Sequence, residues 1–125
     1  MIKEKSKVFL EQKPIHYFES AEEVWFWFCL CESTPRGRTP NYSGTMRPCE
    51  TSDVAIIVKR LLLNKKLSQS HLKILSLYGL KQISPSEKYG DPVKHCFLWK
   101  QALEHLSDVF NSKGLIRKMS SVIGI

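Results

Sequence analysis

Two groups of cationic side chains could bind phosphate. One group lies in a Pro- and Gly-rich segment at 32–50 and consists of Arg36, Arg38 and Arg47. The other lies at the end of a predicted helix and consists of Lys59, Arg60, Lys65 and Lys66. Lys and Arg neutralise nucleic-acid phosphates and release counterions, which gives affinity without sequence preference. The chain has 19 Lys and Arg against 12 Asp and Glu, a formal charge of +7, and this sign favours polyanionic partners. A solvated linker and a complemented helix dipole are the alternatives.

Cysteine and histidine are the candidates for metal binding or nucleophilic catalysis. Cys29 and Cys31 lie in an apolar segment with a single residue between them. Structural zinc sites instead use pairs at a turn, with two to four residues between the two ligands. Arg47 would lower the pKa of the Cys49 thiol, but neither a glycine elbow nor a family signature surrounds this cysteine. The histidines are scattered, and no glycine-rich phosphate loop is present. We therefore predict no enzymatic activity, no metal, no cofactor and no small-molecule ligand.

The cellular compartment is predicted from the N-terminal segment and from the longest apolar run of the sequence. The first residues contain no apolar stretch long enough for a signal peptide. The longest apolar run, VWFWFCLC at 24–31, is far shorter than a membrane span. We expect a cytoplasmic protein with free thiols and no membrane contact.

Helix signals predict a small all-α single-domain bundle of about four helices. The sequence Ser-Ala-Glu-Glu from Ser20 forms a capping box before the aromatic run, whose side chains point all round a helix and are expected to be core rather than base-stacking. Thr51 or Ser52 is expected to cap the second helix, which carries an apolar stripe of Val54, Ile57, Val58, Leu61 and Leu62. The predicted layout is an N-terminal arm at 1–19, a helical domain at 20–114 with the loop 32–50, and a C-terminal tail at 115–125.

The C-terminal half contains two further helix signals. Ser68 is expected to cap the third helix, and Gly79 to end it in a left-handed conformation. Asp91 and Pro92 predict the N-cap and first residue of the fourth helix, and Gly114 its end. Its apolar positions recur at steps of three and four: Cys96, Trp99, Leu103, Leu106 and Phe110.

The segment LKILSLYGL at 72–80, Gly90, and WKQALEHL at 99–106 resemble the helix-turn-helix of sigma-factor region 4. In that resemblance the helix from Asp91 enters the major groove with its first residues at the base edges. Its implied base contacts are Lys94 and His95, and its implied phosphate contacts are Lys88, Tyr89 and Lys100. Pro85 falls in the matching scaffold helix, which we expect to be short or distorted.

The whole chain, through VWFWF, MRPCE and WKQALEHL, also looks like a family of small alphaproteobacterial proteins, which implies a bacterial cytosolic protein and no particular activity. The sequence thus predicts a DNA-binding protein with a helix-turn-helix-like C-terminal half. Its expected role is to regulate transcription or to organise a mobile or chromosomal element, with a homodimer possible. The alternative is a non-enzymatic protein-interaction adaptor that oligomerises through its aromatic helix.

Overall fold

The computed structural model describes residues 15–34 and 46–117. These residues form an all-α fold, as predicted, with four helices in chain order: α1 (Ala21–Ser33), α2 (Thr51–Leu63), α3 (Gln69–Lys81) and α4 (Val93–Ser112). A short 3-10 turn at Glu87–Tyr89 precedes α4. Extended pairing within the described residues is limited to two isolated bridges. None of the helices described is long and apolar enough to cross a bilayer.

The first two helices begin with side-chain caps that differ in detail from the predicted ones. Ser20 Oγ accepts from Glu23 N, as predicted, but the Glu23 carboxylate accepts from the amide of Glu19 instead of Ser20. The N-cap of α2 is Glu50, so the prediction of Thr51 or Ser52 was wrong. The Asp53 carboxylate accepts from Glu50 N at 2.8 Å, and this bond fixes the start of the helix one residue earlier.

Gly79 does not end α3, contrary to the sequence prediction. The helix continues to Lys81, and the left-handed residue that ends it is Gln82, at φ 60°. Gly79 is buried where α3 meets α1, and a Cβ atom there would collide with Cys29 and lie 2.6 Å from Trp25 Nε1. A glycine is required at this position because the two helices approach closely, not because the backbone turns.

The start of α4 was also predicted one residue too early. Pro92 is the N-cap, and the Asp91 carboxylate instead accepts hydrogen bonds from Ser86 N and from the Tyr78 hydroxyl. The region around Pro85 forms no scaffold helix; only the 3-10 turn is regular between α3 and α4. The end of α4 confirms the prediction, since Gly114 has φ 75° and its N–H bonds back to Asn111 O.

The core lies between α1 and α4, with α2 on one side and α3 on the other. The aromatic helix α1 supplies core: Trp25 is 3% exposed, and its Nε1 donates to Leu75 O at 2.8 Å. The predicted stripe of α2 is buried apart from the half-buried Leu62. In α4 Trp99, Leu106 and Phe110 are buried, and Cys96 and Leu103 are half-buried.

Residues from the predicted arm and tail also belong to this core. Phe18 is fully buried, and its backbone pairs with the chain that follows α4. The amide of Phe18 donates to Leu115 O, and the amide of Arg117 donates to Phe18 O. Leu115 and Ile116 are buried beside it.

Candidate nucleic-acid interface

The predicted phosphate-binding cations differ in their availability. Seven of the lysines and arginines that were predicted to contact nucleic acid are exposed: Lys59, Arg60, Lys65, Lys66, Lys88, Lys94 and Lys100. Arg47 is not available, because its Nη1 donates to His16 O and its guanidinium lies 4.3 Å from the centre of the Phe18 ring. Its terminal nitrogen also lies 4.0 Å from the Glu23 carboxylate. Arg36 and Arg38 lie outside the described residues.

Charge is unevenly distributed along the fold. Residues 54–86 hold six Lys and Arg and no Asp or Glu: Lys59, Arg60, Lys65, Lys66, Lys73 and Lys81. All six are exposed. Among the described residues, ion pairs involve only Arg47 with Glu23 and Arg117 with Glu19. The described residues together hold 12 Lys and Arg and 10 Asp and Glu, so any strong positive potential on the fold comes from this acid-free stretch and not from the net charge.

We call the exposed residues Lys59, Arg60, Lys65, Lys66 and Lys73 the basic corner. Lys59 and Arg60 lie near the end of α2, Lys65 and Lys66 in the turn that follows, and Lys73 in the second turn of α3. Lys65 adopts a left-handed conformation at φ 63°. This conformation lets Lys66 N donate to Leu61 O and ends α2. The chain changes direction within residues 64–68, so few residues separate the cations near the end of α2 from the first turn of α3.

The first turn of α3 is held by a reciprocal cap. Ser68 Oγ accepts from His71 N, and the amide of Ser68 bonds to His71 Nδ1 at 3.0 Å. The other ring nitrogen of His71 lies 2.7 Å from Gln101 Oε1 of α4. Nδ1 acts as acceptor, so Nε2 carries the proton and donates to Gln101. The buried His71 thus joins the start of α3 to the middle of α4.

The opposite face of α3 is open to solvent. Gln69, Ser70, Lys73 and Ser76 are exposed, and together with Leu72 they line a shallow groove of about 540 Å³. Further along the same face, Leu80 is 65% exposed. The sequence prediction missed these residues because the resemblance placed the base contacts at the start of α4; the acid-free stretch 54–86 was the signal that could have found them.

The resemblance placed the base contacts at the start of α4, where some of the side chains are exposed and His95 is hydrogen-bonded to α3. Lys88, Tyr89, Lys94 and Phe97 are exposed. His95 is half-buried and faces α3, with its Nδ1 2.8 Å from the Tyr78 hydroxyl. That hydroxyl donates to Asp91, so His95 donates to it through Nδ1. Burial, and then the Asp91 charge, raise the pKa of Tyr78 above its ordinary value.

The basic corner and the start of α4 lie at opposite ends of α3. His71 near the first end of α3 contacts Gln101, whereas Tyr78 near the other end contacts His95, so α3 and α4 run antiparallel. α3 has 13 residues and is about 20 Å long. Lys100 lies beyond the start of α4, in a groove that it shares with Glu22 and Glu104. The predicted site residues therefore do not form one continuous surface.

Cys49 and Cys29 are not activated thiols. Burial and the neighbouring Asp53 raise the pKa of Cys49 to about 11, and this outweighs the opposite effect of Arg47. Burial, with a smaller contribution from Glu32, likewise raises the pKa of Cys29 to about 11. Both thiols are therefore protonated near pH 7. Within residues 15–34 and 46–117, no three His, Cys, Asp or Glu side chains come together in a group that could hold a metal ion.

Comparisons with protein-family models, with curated proteins and with solved structures give no match to this chain. The two resemblances drawn from the sequence therefore stay predictions.

Proposed function

We propose that this protein binds DNA through the basic corner. The observation that carries the proposal is the acid-free stretch 54–86. All six of its cations are exposed, and none pairs with a carboxylate of the described residues. Cations whose charge is not neutralised within the protein are available to phosphates. A cluster of this kind supplies sequence-independent affinity and accelerates association with a polyanion.

The mechanism is non-covalent. Lys59, Arg60, Lys65 and Lys66 each neutralise a phosphate and release the counterion condensed on it. Four such contacts correspond to a slope of about −3.6 in a plot of log affinity against log salt. The proposal extends to the biological role predicted above, the regulation of transcription or the organisation of a mobile or chromosomal element.

The salt dependence of duplex binding tests this proposal. Fluorescence anisotropy with a labelled duplex, measured from low to physiological salt, is expected to give a steep negative slope. Lys66→Ala should weaken binding to every sequence alike and reduce the magnitude of the slope by about 1. Lys113→Ala is the matched control, because this exposed lysine at the end of α4 lies outside the basic corner. A wild-type protein that retains no duplex at low salt would contradict the proposal.

A second candidate function, a protein-interaction adaptor, is favoured by a different observation. Tyr89, Val93 and Phe97 are 79%, 64% and 59% exposed around the start of α4, and exposed apolar groups mark interaction sites when they form a patch. The adaptor would use this surface and not the buried aromatic helix. Sedimentation of the wild type and of Phe97→Ser tests it: association that the substitution abolishes would support the adaptor, and monomers in both would argue against self-association through Phe97.

A further inference from the structure

We propose that α3, and not α4, is the helix that reads bases, and that its partner is the major groove of duplex DNA. The residues assigned to this readout are Gln69, Ser70 and Lys73. The inference rests on the proposed DNA binding, which it makes more specific. It differs from the sequence resemblance, which places the readout at Lys94 and His95.

The first argument is the length of the connections. A helix-turn-helix joins its two helices by a turn of about three or four residues. Residues 64–68 connect α2 to α3, whereas residues 82–92 connect α3 to α4 and contain a 3-10 turn. The five-residue connection between α2 and α3 is therefore close to the length that the motif needs, whereas the eleven-residue connection between α3 and α4 is far longer.

The second argument is the chemistry of the exposed face of α3. Recognition helices contact base edges through their N-terminal residues, and here those residues are Gln69, Ser70 and Lys73, all exposed. A glutamine amide can pair with adenine N6 and N7, a lysine donates to guanine O6 and N7, and a serine hydroxyl can donate or accept. The exposed Leu77 and Leu80 follow on the same helix and could contact thymine methyl groups.

The third argument is electrostatic. The phosphates on either side of a major groove need cations next to the reading helix. Lys65 and Lys66 lie in the turn before α3, and Lys59 and Arg60 lie near the end of α2. By contrast, the exposed face of α4 becomes acidic at Glu104 and Asp108. If α4 lay along the major groove, these two carboxylates would be repelled by the DNA phosphates.

The fourth argument is that α3 is rigidly placed. Gly79 holds it close to α1, Trp25 Nε1 bonds to Leu75 O, and His71 joins it to Gln101. These contacts fix both the rotation and the position of α3, so its outer face is presented without rearrangement. His95, in contrast, uses Nδ1 to bond to Tyr78 and is turned away from the solvent face of α4.

Selection from a duplex library with a randomised centre tests the inference. The wild type is expected to enrich a preferred sequence. Gln69→Ala and Lys73→Ala should each lower affinity for that sequence by about 5- to 150-fold and relax the preference at one or two positions. Lys66→Ala should weaken all sequences alike, and Lys94→Ala should leave the preference unchanged. Circular dichroism melting of each variant establishes that the fold is retained.

The outcomes separate this inference from the proposed function. If Lys94→Ala relaxes the preference while Gln69→Ala and Lys73→Ala do not, α4 reads the bases; the inference is then overturned while DNA binding stands. Binding without an enriched sequence also overturns the inference alone. If the wild type binds no duplex at low salt, both the inference and the proposed function are wrong.

Discussion

The basic corner and the start of α4 have similar compositions but different constructions. Each combines lysines with the beginning of a helix. At the basic corner Ser68 caps α3 together with His71, whose side chain is buried, and the cations are exposed to solvent. At the start of α4 the acid Asp91 is present, and His95 is bonded to Tyr78. Composition therefore does not distinguish a binding surface from a structural junction; the hydrogen-bond partners do.

The largest expected effect comes from disturbing the packing of α3 against α1. Gly79→Ala should lower the free energy of unfolding by about 1–3 kcal/mol, because the added Cβ would collide with Cys29 and approach Trp25 Nε1 to 2.6 Å. Displacing α3 should also weaken DNA binding. Urea unfolding measures the stability change, with the exposed Leu80→Ala as control, for which we expect a change within about 0.5 kcal/mol. An unchanged Gly79→Ala protein would show that α1 and α3 are not tightly packed.

A smaller effect is expected at Tyr78, the neighbour of Gly79 in α3. Tyr78→Phe removes the hydroxyl that bonds to Asp91 and His95 and should cost about 1–2 kcal/mol, since both partners lose a hydrogen bond. Affinity for DNA should not change. Tyr89→Phe is the matched control, because Tyr89 is 79% exposed and makes no side-chain hydrogen bond with the described residues. A loss of sequence preference in Tyr78→Phe would show that the start of α4 takes part in binding.

The smallest stability change is expected at Lys65 and has the opposite sign. Lys65 is left-handed at φ 63°, a conformation that glycine adopts without steric cost, so Lys65→Gly should stabilise the protein by up to about 1 kcal/mol. The same substitution removes a phosphate contact and should reduce the magnitude of the salt slope by about 1. Thermal melting and anisotropy are measured on the same samples. Lys66→Ala should weaken binding without the gain in stability; if stability and affinity fall together in Lys65→Gly, this separation is wrong.

The sequence predicted the elements of the fold well and some of their ends poorly. Ser68 and Gly114 were identified correctly because the interactions that fix them are local, a side-chain cap and a left-handed residue. Gly79 and Asp91 were misassigned because their roles are tertiary. The sequence alone does not distinguish a glycine that permits close packing from a glycine that ends a helix. Asp91 bonds to Ser86 and Tyr78 instead of capping α4.

The candidate site was predicted only in part, for a related reason. The cations at 59–66 were found from their charge, and the structure leaves them exposed. Arg47 had the same charge, but its guanidinium lies over Phe18 and bonds to His16 O; no sequence pattern indicates these contacts. Gln69, Ser70 and Lys73 were missed because the resemblance placed the base contacts in α4.

The backbone pairing of Phe18 with residues 115–117 has a kinetic consequence. These bonds connect positions almost the whole length of the fold apart, so their formation requires closing a loop far longer than any helix. Closing such a loop carries an entropy cost that grows with the logarithm of its length. During synthesis the backbone of Phe18 has no partner until Leu115 and Arg117 have been added. The four helices can therefore form as the chain grows, while the core around Phe18 is completed last.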